Sequence, residues 1–330
     1  LSKADEIFIS MCKEILENGT STKGQKVRPH WEDGTLAYTL KSFGQVHTYD
    51  LSEEFPIMTL RKTALKSATD EMLWIYQKKS NNINDLNSHI WDEWADEAGS
   101  IGKAYGYQIG EKNKYKGVTI EGLDEAFSNW EKKETIDTVE YRHVGLDNSK
   151  NVEADIVFDK KNNIAIMDQM NKVIYDLKIT PFSRRIMTTT WHVSELSEMN
   201  LEPCAYSMTY NVTQEKDDDK LTLNAILNQR SQDMLAANNW NIVQYAVLLH
   251  MLAQVVGMKV GKLVHVIADC HIYDRHIPLI KELIERTPLP APKFVLNPDI
   301  KDFYDFTRND VKVEGYEVAG NQITNIPIAI

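Results

Sequence analysis

The chain has 330 residues, a formal net charge of −11, 42% hydrophobic residues and 26% charged residues. These values exclude a fibrous or wholly disordered chain, and the length allows a large core built without disulfide staples. The acidic balance excludes a general attraction to DNA or RNA, and the three cysteines, Cys12, Cys204 and Cys270, are too few for a disulfide framework and fit a reducing compartment.

Residues 1–17 mix Lys and Asp/Glu with apolar positions at helical spacing. They predict an amphipathic helix and lack a signal-peptide core, so the expected location is the cytoplasm. Residues 64–79 carry Ala64, Leu65, Ala68, Met72, Leu73, Ile75 and Tyr76 on one helical stripe. Trp91-Asp92-Glu93-Trp94 is either a helix start with core tryptophans or a flat aromatic wall for a heterocycle. Residues 111–165 are more polar, with alternating stretches at 138–144 and 154–158 and a turn at Asp147-Asn148-Ser149. They predict an inserted helix plus hairpin. A further helix is expected over 167–178, ending before Pro181.

Strand patterns follow at 186–191, 206–212, 221–227 and 262–267, with Asp217 to Asp219 as a solvated hairpin loop. The run from Met234 to Met258 has no charged side chain but holds Asn238, Asn239, Asn241, Gln244 and His250. So many amides exclude a membrane span and predict a buried helix near a polar site. Helix and strand intersperse without a Pro/Gly/Ser-rich linker, which favours one α+β domain.

The candidate chemistry is a thiol and an anion site. Cys204 follows Pro203 and precedes a strand; it is either a small buried hydrophobe or a nucleophile that needs help to ionise. Arg184-Arg185 and Arg230, near Ser183 and Ser231, form a phosphate-type combination. The segment from His265 to His276 holds Asp269, His271 and Tyr273, but its spacing matches no zinc signature, so these groups are expected to hydrogen-bond a ligand hydroxyl or each other.

The chain also resembles a known family over nearly its whole length. The motifs are Phe55-Pro56 with Thr59, Glu71-Met72-Leu73-Trp74, Ile90 to Trp94, Gly102 to Gly106, Ser183-Arg184-Arg185 and Pro203-Cys204. They continue with Gln229 to Asp233, Asn241-Ile242 with Tyr245, Asp269 with His271 to Tyr273 and His276, Gly315-Tyr316, and Pro327 to Ile330. In this order they resemble the folate-dependent thymidylate synthases. The resemblance implies a single α+β domain with a large, mixed, twisted β-sheet and flanking helices, assembled as a homodimer. It implies reductive methylation of dUMP to dTMP, with 5,10-methylenetetrahydrofolate as one-carbon and hydride donor, dihydrofolate as product, and no metal, membrane or DNA.

The same resemblance implies catalytic roles for Cys204 (addition to uracil C6), Glu71, Tyr105, Arg230 and Asn241. It implies dUMP contacts from Arg28, Gln229, Arg230, Ser231, Asp233, Asn241, His271 and Tyr273, with Arg184 and Arg185 donated across the dimer interface. Folate contacts are implied for Ile90, Trp91, Leu201, Asp233, Ala237, Trp240 and Ile330, the last in a tail that closes over the ternary complex.

Four departures stand out. Ala205 follows the cysteine where many members carry histidine, and Ala236-Ala237-Asn238-Asn239-Trp240 replaces the usual Leu-Gly-x-Pro-Phe type of segment. The Val27-Arg28-Pro29 loop is long, as in a Bacillus-type subgroup, and 111–165 is longer than in compact relatives. The altered 236–240 wall motivates a sister activity as the alternative, a pyrimidine-nucleotide hydroxymethylase on the same fold.

Overall fold

The computed structural model describes residues 1–143 and 155–330. Helix α1 (Lys3–Asn18) starts on Ser2, whose hydroxyl accepts from the Asp5 N–H, and buries Phe8, Met11, Cys12 and Ile15. Strands β1 (Thr20–Ser21) and β2 (Thr39–Asp50) lead to α2 (Leu65–Tyr76), which is buried over nearly its whole circumference. A short α3 (Gly106–Gly110) and β3 (Asn113–Lys116) precede α4 (Ile120–Ala126). Then come β4 (Glu131–Ile136), β5 (Val139–His143), β6 (Ile156–Asp159), β7 (Ile164–Met167) and α5 (Gln169–Ile179). The last third holds β8 (Met187–Thr189), β9 (Ala205–Gln214), β10 (Leu221–Asp233), α6 (Asn238–Val255), β11 (Lys259–Tyr273), α7 (Ile277–Ile284), β12 (Lys293–Leu296) and β13 (Val311–Glu314).

A mixed six-stranded sheet, ordered β1-β2-β11-β10-β9-β8, carries the site. Its central pair, β10 and β11, is parallel, and the crossover between them is α6. Helix α6 lies on the inner face of the sheet, where Val243, Ala246, Val247 and Leu249 share a core with Met208, Leu223, Ala225 and Leu263. Being apolar on all sides, it is a core helix. Its buried Asn239 is held at both ends of the amide: Oδ1 accepts from the Met58 N–H (2.9 Å) and the Thr63 hydroxyl (2.6 Å), and Nδ2 donates to the Pro56 carbonyl (2.9 Å). Among the described residues no helix is long and apolar enough to cross a membrane.

The expected strands all form, and β9, β10 and β11 run further than their patterns, the last two by six residues at their ends. β10 extends to Asp233 and β11 to Tyr273, which brings the polar ends of both strands into the sheet. β2 was not expected at all. Lys41, Ser42, Gly44 and Gln45 break its alternation, and pairing along β11, with β1 on its other edge, organises it. The 111–165 expectation needs a larger correction. In place of a helix plus hairpin, the described part is α4 with an antiparallel sheet, ordered β3-β7-β6-β5-β4. The turn expected at 147–149 lies outside the described residues.

Candidate active site

The site forms where β9 begins, where β10 ends and where α6 starts. Cys204 is the residue before β9, and the sheet register shifts beside it: Asn228 pairs with Ser207, but Gln229 pairs with Ala205. Such a bulge re-aims the neighbouring side chains. The Arg230 N–H donates to the Cys204 carbonyl at 2.9 Å. The Arg230 guanidinium folds back along the same loop, donating to the carbonyls of Glu202 (2.6 Å) and Pro203 (3.0 Å), and lies 5.8 Å from the Trp191 ring. Burial pushes the Cys204 thiol up, and the positive charges of Arg230 and Arg28 oppose that shift.

Tyr105 reaches Cys204 from the other side. Its phenol oxygen accepts the Cys204 N–H at 2.9 Å. The tyrosine sits at φ 43, an uncommon backbone state for a non-glycine residue. The flanking glycines explain how it is seated. A Cβ on Gly102 would meet the Glu198 carbonyl oxygen at 2.2 Å, and one on Gly106 the Ser80 carbonyl oxygen at 2.1 Å. Only residues without a side chain allow both approaches.

Glu71 on α2 is 5% exposed and faces two indoles. The Trp91 Nε1–H donates to Oε1 at 2.9 Å, and the Trp240 Nε1–H donates to Oε2. Burial lifts the carboxyl to about 7, and hydrogen bonds from Trp240, Trp91 and Gln244 hold it from going higher. Trp91 packs edge-on against Tyr105 (5.2 Å) and Trp94 (5.7 Å) and is 7% exposed, as the core-tryptophan alternative expects. The segment makes one 3₁₀ turn, Asp92–Trp94, rather than a longer helix.

Asn241 sits among three glutamines. Its Oδ1 accepts from Gln229 (3.4 Å) and Gln232 (3.3 Å), and its Nδ2 donates to Gln244 Oε1 (3.0 Å). Gln229 is oriented from behind by His265, whose Nε2 lies 2.6 Å from Gln229 Oε1. An amide oxygen only accepts, so His265 carries its proton on Nε2. Burial drops the His265 ring to about 3, so it stays neutral.

Asp233 closes the opposite edge. Burial would raise its carboxyl, but the hydrogen bond and charge of His276 and the charge of His271 outweigh that and hold it low. Its Oδ1 also accepts from the N–H groups of Leu235 (2.9 Å) and Ala236 (3.1 Å). His271 Nδ1 lies 2.9 Å from Asp269, and its ring meets Tyr273 edge-on at 5.1 Å. The Tyr273 phenol feels the charges of Asp233, Arg28 and Cys204, which places it at the same centre. The carboxyl end joins there as well. Ile330 exchanges backbone hydrogen bonds with His30 (2.8 and 2.9 Å), two residues from Arg28.

The predicted residues therefore divide. Cys204, Arg230, Arg28, Tyr105, Glu71, Trp91, Trp240, Gln229, Asn241, Asp233, His271 and Tyr273 are linked through contacts or mutual charge. Ser231 and Leu201 are half-buried nearby in sequence, Ala237 caps α6, and Ile90 is 41% exposed. Arg184 and Arg185 lie exposed before β8, and the described contacts of the single chain do not join them to Cys204. Arg185 instead lines a 480 Å³ cavity with Gln169, Lys172, Trp191 and Glu195. Residue-type reasoning gave no role to Gln232, Gln244 or His276. His276 stood within a quoted motif, but nothing in the sequence indicates that glutamines from β10 and α6 converge. Among the described residues no group of three His, Cys, Asp or Glu is placed to hold a metal ion.

Known proteins resemble this chain over almost its whole length. The thymidylate synthase family pattern matches residues 6–329. Thymidylate synthase 1 of Bacillus subtilis (strain 168) is 37% identical over 321 residues, 96% of each chain. The thymidylate synthase of Bacillus phage phi3T is 36% identical over the same share. The solved structure of the thermostable thymidylate synthase A from Bacillus subtilis superposes with a TM-score of 0.77 at 35% identity, covering 99% of both chains.

Proposed function

The chain belongs to the thymidylate synthase family, and from that premise we propose that Cys204 is the nucleophile that opens the reductive methylation of dUMP to dTMP. The observation that carries this reading is Cys204 hydrogen-bonded to the Tyr105 phenol and under the charge of Arg230, in a site that ring contact and mutual charge connect to Glu71. Addition of the thiolate to C6 forms a carbon–sulfur bond and leaves C5 electron-rich, so C5 becomes the nucleophile that the free ring is not. Arg230 and Arg28 favour the thiolate and, with Ser231, bind the phosphate. Arg184 and Arg185 complete that phosphate site from the partner subunit.

Asn241 reads the pyrimidine edge, accepting from N3–H and donating to O4. His271 and Tyr273 hold the sugar hydroxyl. Glu71, with a carboxyl near 7, exchanges protons around O4, and Tyr105 acts at removal of the C5 proton. 5,10-Methylenetetrahydrofolate supplies the methylene carbon and the hydride. A planar heterocycle with N–H donors suits the residue types present: the Trp91 aromatic cluster for its rings, and Asp233, held ionised by its histidines, as an acceptor. Ile90, Leu201, Ala237, Trp240 and Ile330 belong to that folate side.

We also infer a homodimer. The outer face of the six-stranded sheet supports it, because Met187, Thr209, Ile226 and Val264 follow one another across paired strands and Met187 and Ile226 are 50% and 40% exposed. The whole chain acts as one catalytic domain, with 111–165 as a family-variable insertion. A cytoplasmic location belongs to the same reading. The hydroxymethylase alternative gains nothing from the 236–240 wall, since Trp240 there bonds Glu71. The test is absorbance of dihydrofolate formed from dUMP and 5,10-methylenetetrahydrofolate. A dUMP-dependent rise, lost in Cys204→Ser while dUMP binding persists, supports the reading. Equal turnover by Cys204→Ser removes the nucleophile assignment, and a hydroxymethylated product removes the reaction.

A further inference from the structure

Trp240 stands in the first turn of α6, in the segment that departs from the usual family pattern. As one wall of a folate site it needs only its ring face. Its edge is used differently. The indole N–H is directed at Glu71 Oε2, while the Trp91 N–H holds Oε1 at 2.9 Å. A buried indole N–H needs an acceptor, and a backbone carbonyl would have served. Here the acceptor is a carboxylate with one indole donor on each oxygen. The two indoles approach from different elements, so together they fix the carboxyl plane as well as its position.

We propose that Trp240 is a positioning residue for Glu71, clamping its carboxylate with Trp91 so that it exchanges protons from one fixed orientation. The inference rests on the reading of Glu71 as the working carboxylate, and it gives the unusual 236–240 segment a task beyond lining the folate site.

The surroundings make the two donors decisive. From α6, Glu71 meets Trp240 and Gln244, neither charged. From the 90–94 segment it meets the Trp91 indole. From the start of α3 it meets Tyr105, a titratable group that feels its charge. On α2 itself, the neighbouring Asp70 is turned to Asn87, which donates to it from N–H (3.1 Å) and Nδ2 (2.9 Å). On β13, which also packs against α2, Lys312 and Glu314 pair with each other at 2.9 Å. No ammonium or guanidinium among these groups offsets the burial of Glu71. Its ionised form depends on hydrogen bonds, and the Trp240 bond is first among them.

The experiment compares wild type, Trp240→Phe and Glu71→Gln. The pH profiles of kcat and kcat/KM are measured alongside KM for the folate. The Glu71 carboxyl stretch is titrated by infrared difference spectroscopy, with Glu71→Gln as the blank. The expected result for Trp240→Phe is an acid limb moved up by about one pH unit, tenfold in rate on that limb, with protonated Glu71 persisting to matching pH. An unmoved limb and carboxyl titration, with only folate KM raised, would overturn the inference and leave Trp240 as a wall. Glu71→Gln separates the two claims. If it keeps wild-type rate and profile, the reading of Glu71 fails, while the infrared titration still decides whether Trp240 governs its ionisation. Should Trp240→Phe not fold, the ¹⁵N-indole resonances of the wild type provide the answer. Trp240 and Trp91 are expected to titrate together with Glu71, and a Trp240 signal flat across that range refutes the clamp.

Discussion

His276 holds the carbonyl oxygen of Pro327 at 2.7 Å through Nε2, while its Nδ1 faces Asp233 at 3.5 Å. One fully buried ring thus ties the carboxyl tail to a carboxylate of the site. Burial lowers the His276 ring, but the bond and charge of Asp233 and the bond to Pro327 outweigh it and raise the ring above its usual 6.5. A raised histidine contributes stability in full below its unfolded pKa and loses it as pH rises through the folded value. Asp233 behaves in the opposite sense: its contribution is present above the unfolded carboxylate value and lost as pH falls through its depressed one. The charged pair is therefore intact between 3.8 and 6.5, and it is lost on the alkaline side as His276 deprotonates and on the acid side as Asp233 protonates. Above the folded His276 pKa, a bare Nδ1 lone pair faces the carboxylate. Hydrogen exchange at Ile328–Ile330 is expected to accelerate beyond its ordinary pH dependence there. His276→Ala should accelerate it about tenfold at pH 6, for a hydrogen bond of about 1–1.5 kcal/mol. Equal protection in the variant would show that the Ile330–His30 pairing alone holds the tail.

The Cys204 thiol should titrate above an ordinary thiol in the free protein. Burial is the largest cause, and Arg230 is the first charge opposing it. Removing that charge raises the thiol further. Arg230→Ala is expected to slow alkylation of Cys204 by iodoacetamide about tenfold at pH 7.5, with the rate recovered at higher pH. An unchanged pH–rate curve would mean that the Arg230 bonds to the Glu202 and Pro203 carbonyls shape the loop without tuning the sulfur. Cys12 and Cys270 are buried and should stay unmodified in the folded protein, which keeps the signal specific.

How far the sequence predicts this site differs from residue to residue. The periodicity of 64–79 and the uncharged run at 234–258 were legible because one apolar pattern decides each helix. The meeting of Cys204 with Arg230 was legible through motifs, since a loop and a strand end 26 positions apart in sequence carry no local sign that they pair. β2 was hidden because its order comes from hydrogen bonds to β11, which local alternation does not encode. The Trp240–Glu71 bond was hidden for a related reason. An aromatic residue at a known apolar position reads as surface to be covered, and only geometry shows which way its one polar atom points. The second sheet was underestimated because its short strands pair non-locally: β3 finds β7, about 50 residues later, instead of its chain neighbour β4.

Asn241 predicts how base preference can be changed. Its amide now offers Oδ1 toward Gln229 and Gln232 and Nδ2 toward Gln244. An amide of this polarity matches uracil, which presents N3–H and O4; cytosine presents the reverse at both atoms. In Asn241→Asp the second atom becomes an acceptor facing Gln244 Oε1. Gln244 can turn its Nε2 to donate to the new carboxylate only by giving up its hydrogen bond to Glu71. The variant should lose dUMP turnover by at least about a hundredfold and gain activity on dCMP, read as the ratio of kcat/KM values in a tritium-release assay. Loss on both nucleotides with no change in the ratio would mean that Asn241 supports the glutamine cluster rather than reading the base.

The junction between the second sheet and the core supplies a stability test. Lys79, just beyond α2, reaches Asp168, the N-cap of α5, and donates to the Tyr304 phenol at 2.8 Å. The two charged side chains are 14% and 3% exposed. Asp168 also accepts from the Asn171 N–H (2.9 Å) and Nδ2 (3.0 Å), so its carboxylate is satisfied as long as the lysine remains. Lys79→Met leaves a buried carboxylate without its cation and should lower the urea unfolding free energy by about 3–5 kcal/mol. Adding Asp168→Asn removes the uncompensated charge while keeping an acceptor for the α5 cap, and should restore most of that loss. If the double variant is as unstable as Lys79→Met, the lysine stabilises through its packing over Tyr304, 4.7 Å from the ring centre, and the charge pair is secondary.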